Sequence, residues 1–312
     1  MEWQTKITTG SLVPPFSYAT RFLFTGSCFA QEMAQQMRDL HFQVAEDAFG
    51  PLFNPASIAS ALERLENPGF FTSEDVIQFP YEAFGSLYHH TSFSRETPGA
   101  FLEYANARLE NAADFFKTAD IVVLTLGTAW IYKYNGAVVA NCHKMPARLF
   151  DRIFLEPSDI FEVLAPVIER NGDKRWIMTV SPIRHLADGA HGNQLSKASL
   201  HLAIKRLQEK FSDIWYFPSY ELIMDELRDY RFYATDRCHL SQEATAYIRK
   251  RFLEAATDKE TMAIVREMDK LNTSFAHKPL FPRTGSYEKF LYNLDKQRAE
   301  LLQTIGNKIK KY

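Results

Sequence analysis

Cysteine is scarce in this chain, with only Cys28, Cys142 and Cys238 among 312 residues. Three scattered thiols exclude a disulfide framework. No C-x-x-C or H-x-x-x-H spacing accompanies them, so no metal site and no cofactor are expected. Long apolar runs are also missing. The longest clusters, such as residues 121–126, have strand length, well short of the roughly 18 apolar residues of a membrane span. No charge of one sign prevails either: Lys plus Arg number 36 against 38 Asp plus Glu, a formal charge of -2, which argues against a nucleic-acid surface. The opening MEWQTKITTGSLVPPF lacks the basic start and apolar stretch of a secretory signal, so a cytoplasmic location is expected. What the chain does have is 46% apolar and 24% charged residues, with aromatics at 14%, an ordinary composition for a well-packed globular protein.

Hydrophobic patterning gives strands alternating with helices. Residues 21–24 read as a short strand that stops at Thr25-Gly26-Ser27-Cys28, and residues 29–40 continue with helical spacing. A second strand is predicted over 42–48. A helix follows, with Asn54 and Pro55 suited to its N-cap and first turn. After a loop-rich stretch come a helix over 99–116 and the clearest strand, 121–126, whose continuous apolar character fits a parallel strand covered on both faces. Asn135-Gly136 marks a β-hairpin excursion within 130–144. Helix (159–170), strand (175–180), helix (195–211), a short strand (214–217) and helix (242–256) complete the pattern. It implies right-handed crossovers and a three-layer α/β/α sandwich with a parallel central sheet over residues 1–277. A C-terminal helical extension, 278–312, begins beyond Lys278-Pro279-Leu280-Phe281-Pro282 and carries an apolar stripe from Phe290 to Ile309. That stripe suits a helix docked on its own domain or paired in a homodimer, and Lys308, Lys310 and Lys311 complement its dipole.

In open α/β sheets, functional groups collect beyond the carboxyl ends of the strands, where Ser27, Asn54, Thr128, Ser181 and the Asp236/His239 loop all fall. Ser27, at a strand end and a helix start, suits a nucleophile whose oxyanion would meet backbone N–H groups. Asp236 and His239, three residues apart, suit a base and the carboxylate that orients it. A serine hydroxyl is a weak nucleophile without such a base. The alternative is structural, with Ser27 and Asp236 as helix caps and His239 as an ordinary helix-start residue. Cys28 beside Ser27 reads as core or pocket wall, His143 and His185 as further pocket candidates, and Trp130 on the hairpin as a stacking surface for a sugar ring or an acyl chain.

The string Gly26-Ser27-Cys28-Phe29-Ala30 resembles the motif for which the GSCFA-domain family is named, a family related to the SGNH (GDSL-type) hydrolases. The likeness extends over roughly residues 20–255 through Phe53-Asn54-Pro55, Asn141-Cys142-His143-Lys144, Ser181-Pro182-Ile183-Arg184-His185, Ser196-Lys197-Ala198 and Asp236-x-x-His239. The resemblance implies a flavodoxin-like sandwich and a Ser-His-Asp ester-hydrolase site with Ser27, His239 and Asp236 in those roles. The third SGNH block, Gly-x-Asn-Asp, is here Gly127-Thr128-Ala129-Trp130, so its oxyanion-binding asparagine is absent. Gly50, Asn54 and Thr128 are the candidate replacements. The expected activity is hydrolysis of an O-acyl ester, such as an O-acetylated carbohydrate. An acyltransferase using the same triad, or a non-catalytic carbohydrate- or metabolite-binding protein, are the alternatives. The expected partner is a small-molecule or carbohydrate ester, with no nucleic acid and no membrane, on a monomer or homodimer.

Overall fold

A strand that is apolar at every position is stable only in the middle of a sheet covered on both sides, and residues 121–126 occupy that place with all six buried. The computed structural model describes residues 4–280 and 284–310; Phe281 and Pro282 of the expected break, and Lys311, lie outside them. In chain order the strands are β1 (Arg21–Gly26), β2 (Gln43–Val44), β3 (Ile77–Gln78), β4 (Phe84–Gly85), β5 (Ile121–Leu126), β6 (Trp130–Tyr134), β7 (Ala137–Val139), β8 (Phe150–Phe154), β9 (Arg175–Val180) and β10 (Ile214–Tyr216). The helices are α1 (Cys28–Asp39), α2 (Pro55–Glu66), α3 (Pro98–Lys117), α4 (Pro157–Arg170), α5 (Gly189–Lys210), the short α6 (Ser219–Glu221), α7 (Gln242–Ala256), α8 (Lys259–Ala276) and α9 (Gly285–Ile309).

The central sheet is parallel throughout, in the order β10-β9-β5-β1-β2. Alternate residues of β5 face opposite layers. Val122, Leu124 and Leu126 join a core with α2, α3, α4 and α5, while Ile121 and Val123 join one with α1, α7 and α8. The result is the expected three-layer α/β/α sandwich. Strand order reverses between β1 and β5, so the crossovers leave to opposite sides there and open a crevice at the carboxyl ends of these two strands.

Several elements differ from the sequence reading. The second strand is only two residues long, because the chain from Ala45 turns away to bury Ala48, Phe49 and Leu52 under α2 and α3. Helix α5 starts at Gly189 instead of 195, its first turns carrying no apolar stripe to announce them. Helix α8 lies outside the predicted pattern; it covers the sheet through Ile264, Val265 and Met268. The Asn135-Gly136 hairpin forms with φ of 49° and 82° at the two turn residues, and β8 adds a third antiparallel strand to it. Helix α9 packs on α8, burying Leu294 and Ile305, and Lys308 pairs with Glu260 at 2.5 Å. Among the described residues no helix is long and apolar enough to cross a membrane.

Candidate functional site

The site begins with a glycine. Gly26 closes β1 with φ +126°, and a Cβ there would lie 2.1 Å from the Thr125 carbonyl oxygen of β5. Only glycine lets the two strands end this close together. The next residue, Ser27, donates its backbone N–H to that same carbonyl at 3.0 Å and becomes the N-cap of α1. Its hydroxyl does not act as a cap. The side chain is 1% exposed and Oγ has no hydrogen-bond partner. By contrast, Thr97, Ser241 and Asn54 at the starts of α3, α7 and α2 each accept a bond from the first helical turn. A buried hydroxyl left unbonded is costly, and here it sits at the mouth of the strand-order crevice.

Asp236 and His239 form the expected pair in the turn that precedes α7. The turn is held by an antiparallel bridge between Tyr233 and Leu240 and by the Ala234 N–H on the His239 carbonyl at 2.8 Å. Asp236 Oδ1 accepts the backbone N–H groups of Cys238 and His239, each at 2.9 Å, and Oδ2 lies 2.6 Å from His239 Nδ1. The Cys238 backbone bond, then the His239 imidazole and the His239 backbone bond, hold the carboxyl down at about 2. An ionised carboxylate on Nδ1 fixes the tautomer with hydrogen there, leaving Nε2 as the acceptor. His239 lines a cavity of about 130 Å³ together with Cys28, Phe29, Glu32, Ile183, Leu240, Gln242 and Thr245. The base therefore stands beside the two residues that follow Ser27, while Ser27 itself is buried and does not line that cavity.

A residue that spacing arguments passed over completes the site. Lys197 of α5 is 1% exposed, and its Nζ donates to the carbonyls of Gly127 and Ser181, both at 2.7 Å. These carbonyls terminate β5 and β9. Burial pushes the amine down to about 7, opposed by the Cys28 thiol. His185, also quoted for its motif, stands edge-on to Phe53 at 5.8 Å, with its Nε2 buried and unbonded. Burial, then the Lys197 charge, lowers His185 to about 4, with Asp188 opposing and His239 adding to the effect. The Cys28 thiol, half-buried, is pushed up by burial, against the N–H groups of Phe29 and Cys28 itself. Lys197 was legible only as part of a family string; a lone lysine in a helix carries no spacing signal.

The candidate oxyanion donors are engaged elsewhere. Gly50 donates its N–H to Asp47 Oδ1 at 3.0 Å. Asn54 caps α2, its Oδ1 accepting from Ser57 N–H at 2.8 Å and its Nδ2 donating to Ser57 Oγ at 3.0 Å. Thr128 directs its N–H to the Phe53 carbonyl at 2.9 Å and its Oγ1 to Ser196 Oγ at 3.1 Å. The first turn of α1 has N–H groups without a partner inside the helix, and its residues Cys28 and Phe29 line the His239 cavity. His143 lies apart, stacked on Phe79 at 4.2 Å in a satellite core with Leu87 and Val139. Trp130 packs edge-on to Phe154 at 5.1 Å under the Arg152 guanidinium, so its ring is a packing surface of the antiparallel sheet.

A doubly wound α/β sandwich with a buried, uncapped serine and an Asp-His pair at its strand-order crevice is the class defined by fold and site. The chain belongs to the GSCFA family, whose model matches residues 21–252. Comparison with curated proteins finds no match.

Proposed function

We propose that the protein is a serine hydrolase of SGNH type that cleaves an O-acyl ester through Ser27, His239 and Asp236. The observation that carries this reading is the Ser27 hydroxyl, placed at a helix N-cap yet not capping, at the start of the helix whose first residues, Cys28 and Phe29, share a cavity with His239 of the preformed Asp236–His239 pair. Ser27 Oγ attacks the acyl carbon and passes its proton to His239 Nε2; the imidazolium is stabilised by Asp236. The tetrahedral oxyanion meets the positive dipole end of α1, of which Ser27 is the N-cap. His239 returns the proton to the leaving alkoxide, and water repeats the sequence on the acyl-enzyme. The proposed substrate type is an O-acyl ester such as an O-acetylated carbohydrate.

A fluorophosphonate probe reports the nucleophile directly. The expected result is a single adduct on the peptide containing Ser27, absent from Ser27→Ala and slowed by at least about 100-fold in His239→Ala. A probe that leaves Ser27 unmodified, or that labels His239→Ala at the wild-type rate, removes the triad.

Asn54→Ala separates capping from catalysis. With both polar atoms on Ser57, Asn54 is expected to contribute about 1 kcal/mol through its cap, lowering Tm by about 2 °C. Ester hydrolysis should stay within about twofold of wild type. A hundredfold drop in rate at unchanged Tm would return Asn54 to the oxyanion site.

A further inference from the structure

The geometry points to a second pocket, beside the dyad, that binds an oxyanion carried on an apolar stem as part of the substrate; this assignment rests on the hydrolase reading above. The cavity, about 310 Å³, is lined by Arg184, Arg228, Arg237, Asp229, two tyrosines and an apolar floor that includes Ile223, Met224 and Leu227. Two chain segments join it to the His239 cavity. Ile183 lines the one and Arg184 the other; His239 lines the one and Arg237 the other. A ligand seated here therefore lies next to the base.

The charge in this pocket is not balanced. Arg228 is paired with Asp225 at 2.7 Å, and Asp229 accepts the Arg231 backbone N–H at 2.8 Å. Among the described residues neither Arg184 nor Arg237 has a carboxylate within ion-pair distance. Arg184 is half-buried, its Nη2 rests on the Met224 sulfur at 3.3 Å, and its Nε is buried with no partner. A thioether is a weak acceptor for a guanidinium, and the Tyr233 hydroxyl that also meets it carries no charge, so this half-buried cation has no counter-charge of its own. A planar guanidinium fork matches a carboxylate or a phosphoryl group, and the apolar floor suits the carbon skeleton that carries it. Arg237, exposed and held at φ 60° in the Asp236–His239 turn, offers the second cation. The substrate class is thus an ester whose acyl or alcohol part bears such an anion.

Three probes of one size test this by calorimetry at low salt: phenylacetate, phenyl phosphate and neutral benzyl alcohol. One of the anions is expected to bind at least about tenfold more tightly than the alcohol, and the tighter anion names the group recognised. Arg184→Gln and Arg237→Gln should each weaken that anion about tenfold. Equal binding of anion and alcohol, no binding of either anion, or wild-type binding by both variants overturns the pocket. The bound anion is also expected to slow fluorophosphonate labelling of Ser27; binding with no effect on labelling overturns its assignment to the substrate. Ser27→Ala should bind the anion as wild type does. Retained binding by a protein that never labels at Ser27 overturns the hydrolase reading and leaves the pocket standing, whereas labelling without binding does the reverse.

Discussion

Ser27→Ala is expected to abolish ester hydrolysis, by roughly 10⁴-fold or more, while leaving Tm unchanged or slightly raised. Loss of the nucleophile removes the covalent path altogether, and the remaining triad members cannot compensate. The stability half of the expectation follows from the environment of Oγ, which is buried and without a partner. Removing a buried hydroxyl that makes no bond relieves its desolvation penalty and leaves only a small void. A capping serine would behave in the opposite way, costing about 1 kcal/mol on truncation with no change in rate. Paired measurements of turnover and Tm therefore separate the two roles, and a variant that melts earlier but hydrolyses normally makes Ser27 a cap.

Lys197→Met is expected to destabilise the protein by several kcal/mol, because the carbonyls of Gly127 and Ser181 lose their shared donor. Each buried carbonyl left unsatisfied costs about 1–3 kcal/mol. The loss should grow with pH. Burial lowers the folded-state amine from 10.5 to about 7. Below about pH 7 both folded and unfolded chains hold the proton, and the buried charge weighs fully against folding. Between about 7 and 10.5 the unfolded chain binds a proton that the folded chain has released, so the contribution of Lys197 to stability rises through that window. As a neutral amine it still has two N–H groups for the two carbonyls. The Tm gap between wild type and Lys197→Met should be wider at pH 9 than at pH 6; a gap independent of pH means the amine does not titrate there.

Helix α2 shows how local rules read correctly can still miss their use. Asn54 followed by Pro55 announces a helix start, and the cap forms as expected, but the same asparagine was also a candidate oxyanion donor. In the structure both its polar atoms are on Ser57, three residues on, so the cap role takes them. Ser27 is the converse. A cap is the alternative that its position after a strand allows, and in the structure its hydroxyl accepts no bond from the first turn of α1. Helix α8 illustrates a different limit: an amphipathic helix carries no signal for which neighbour its apolar face meets.

The parallel core strand, the Asn135-Gly136 turn and the Asp236–His239 pair were all determined by the sequence alone, because each depends on residues within a few positions of one another. Periodicity, turn chemistry and a three-residue side-chain contact are local. The partners of Lys197, the closure of β1 onto β5 and the unbalanced arginines beside the dyad join segments far apart in the chain. They depend on which strand ends meet at the crevice and which groups burial strips of water, and only the tertiary structure decides that.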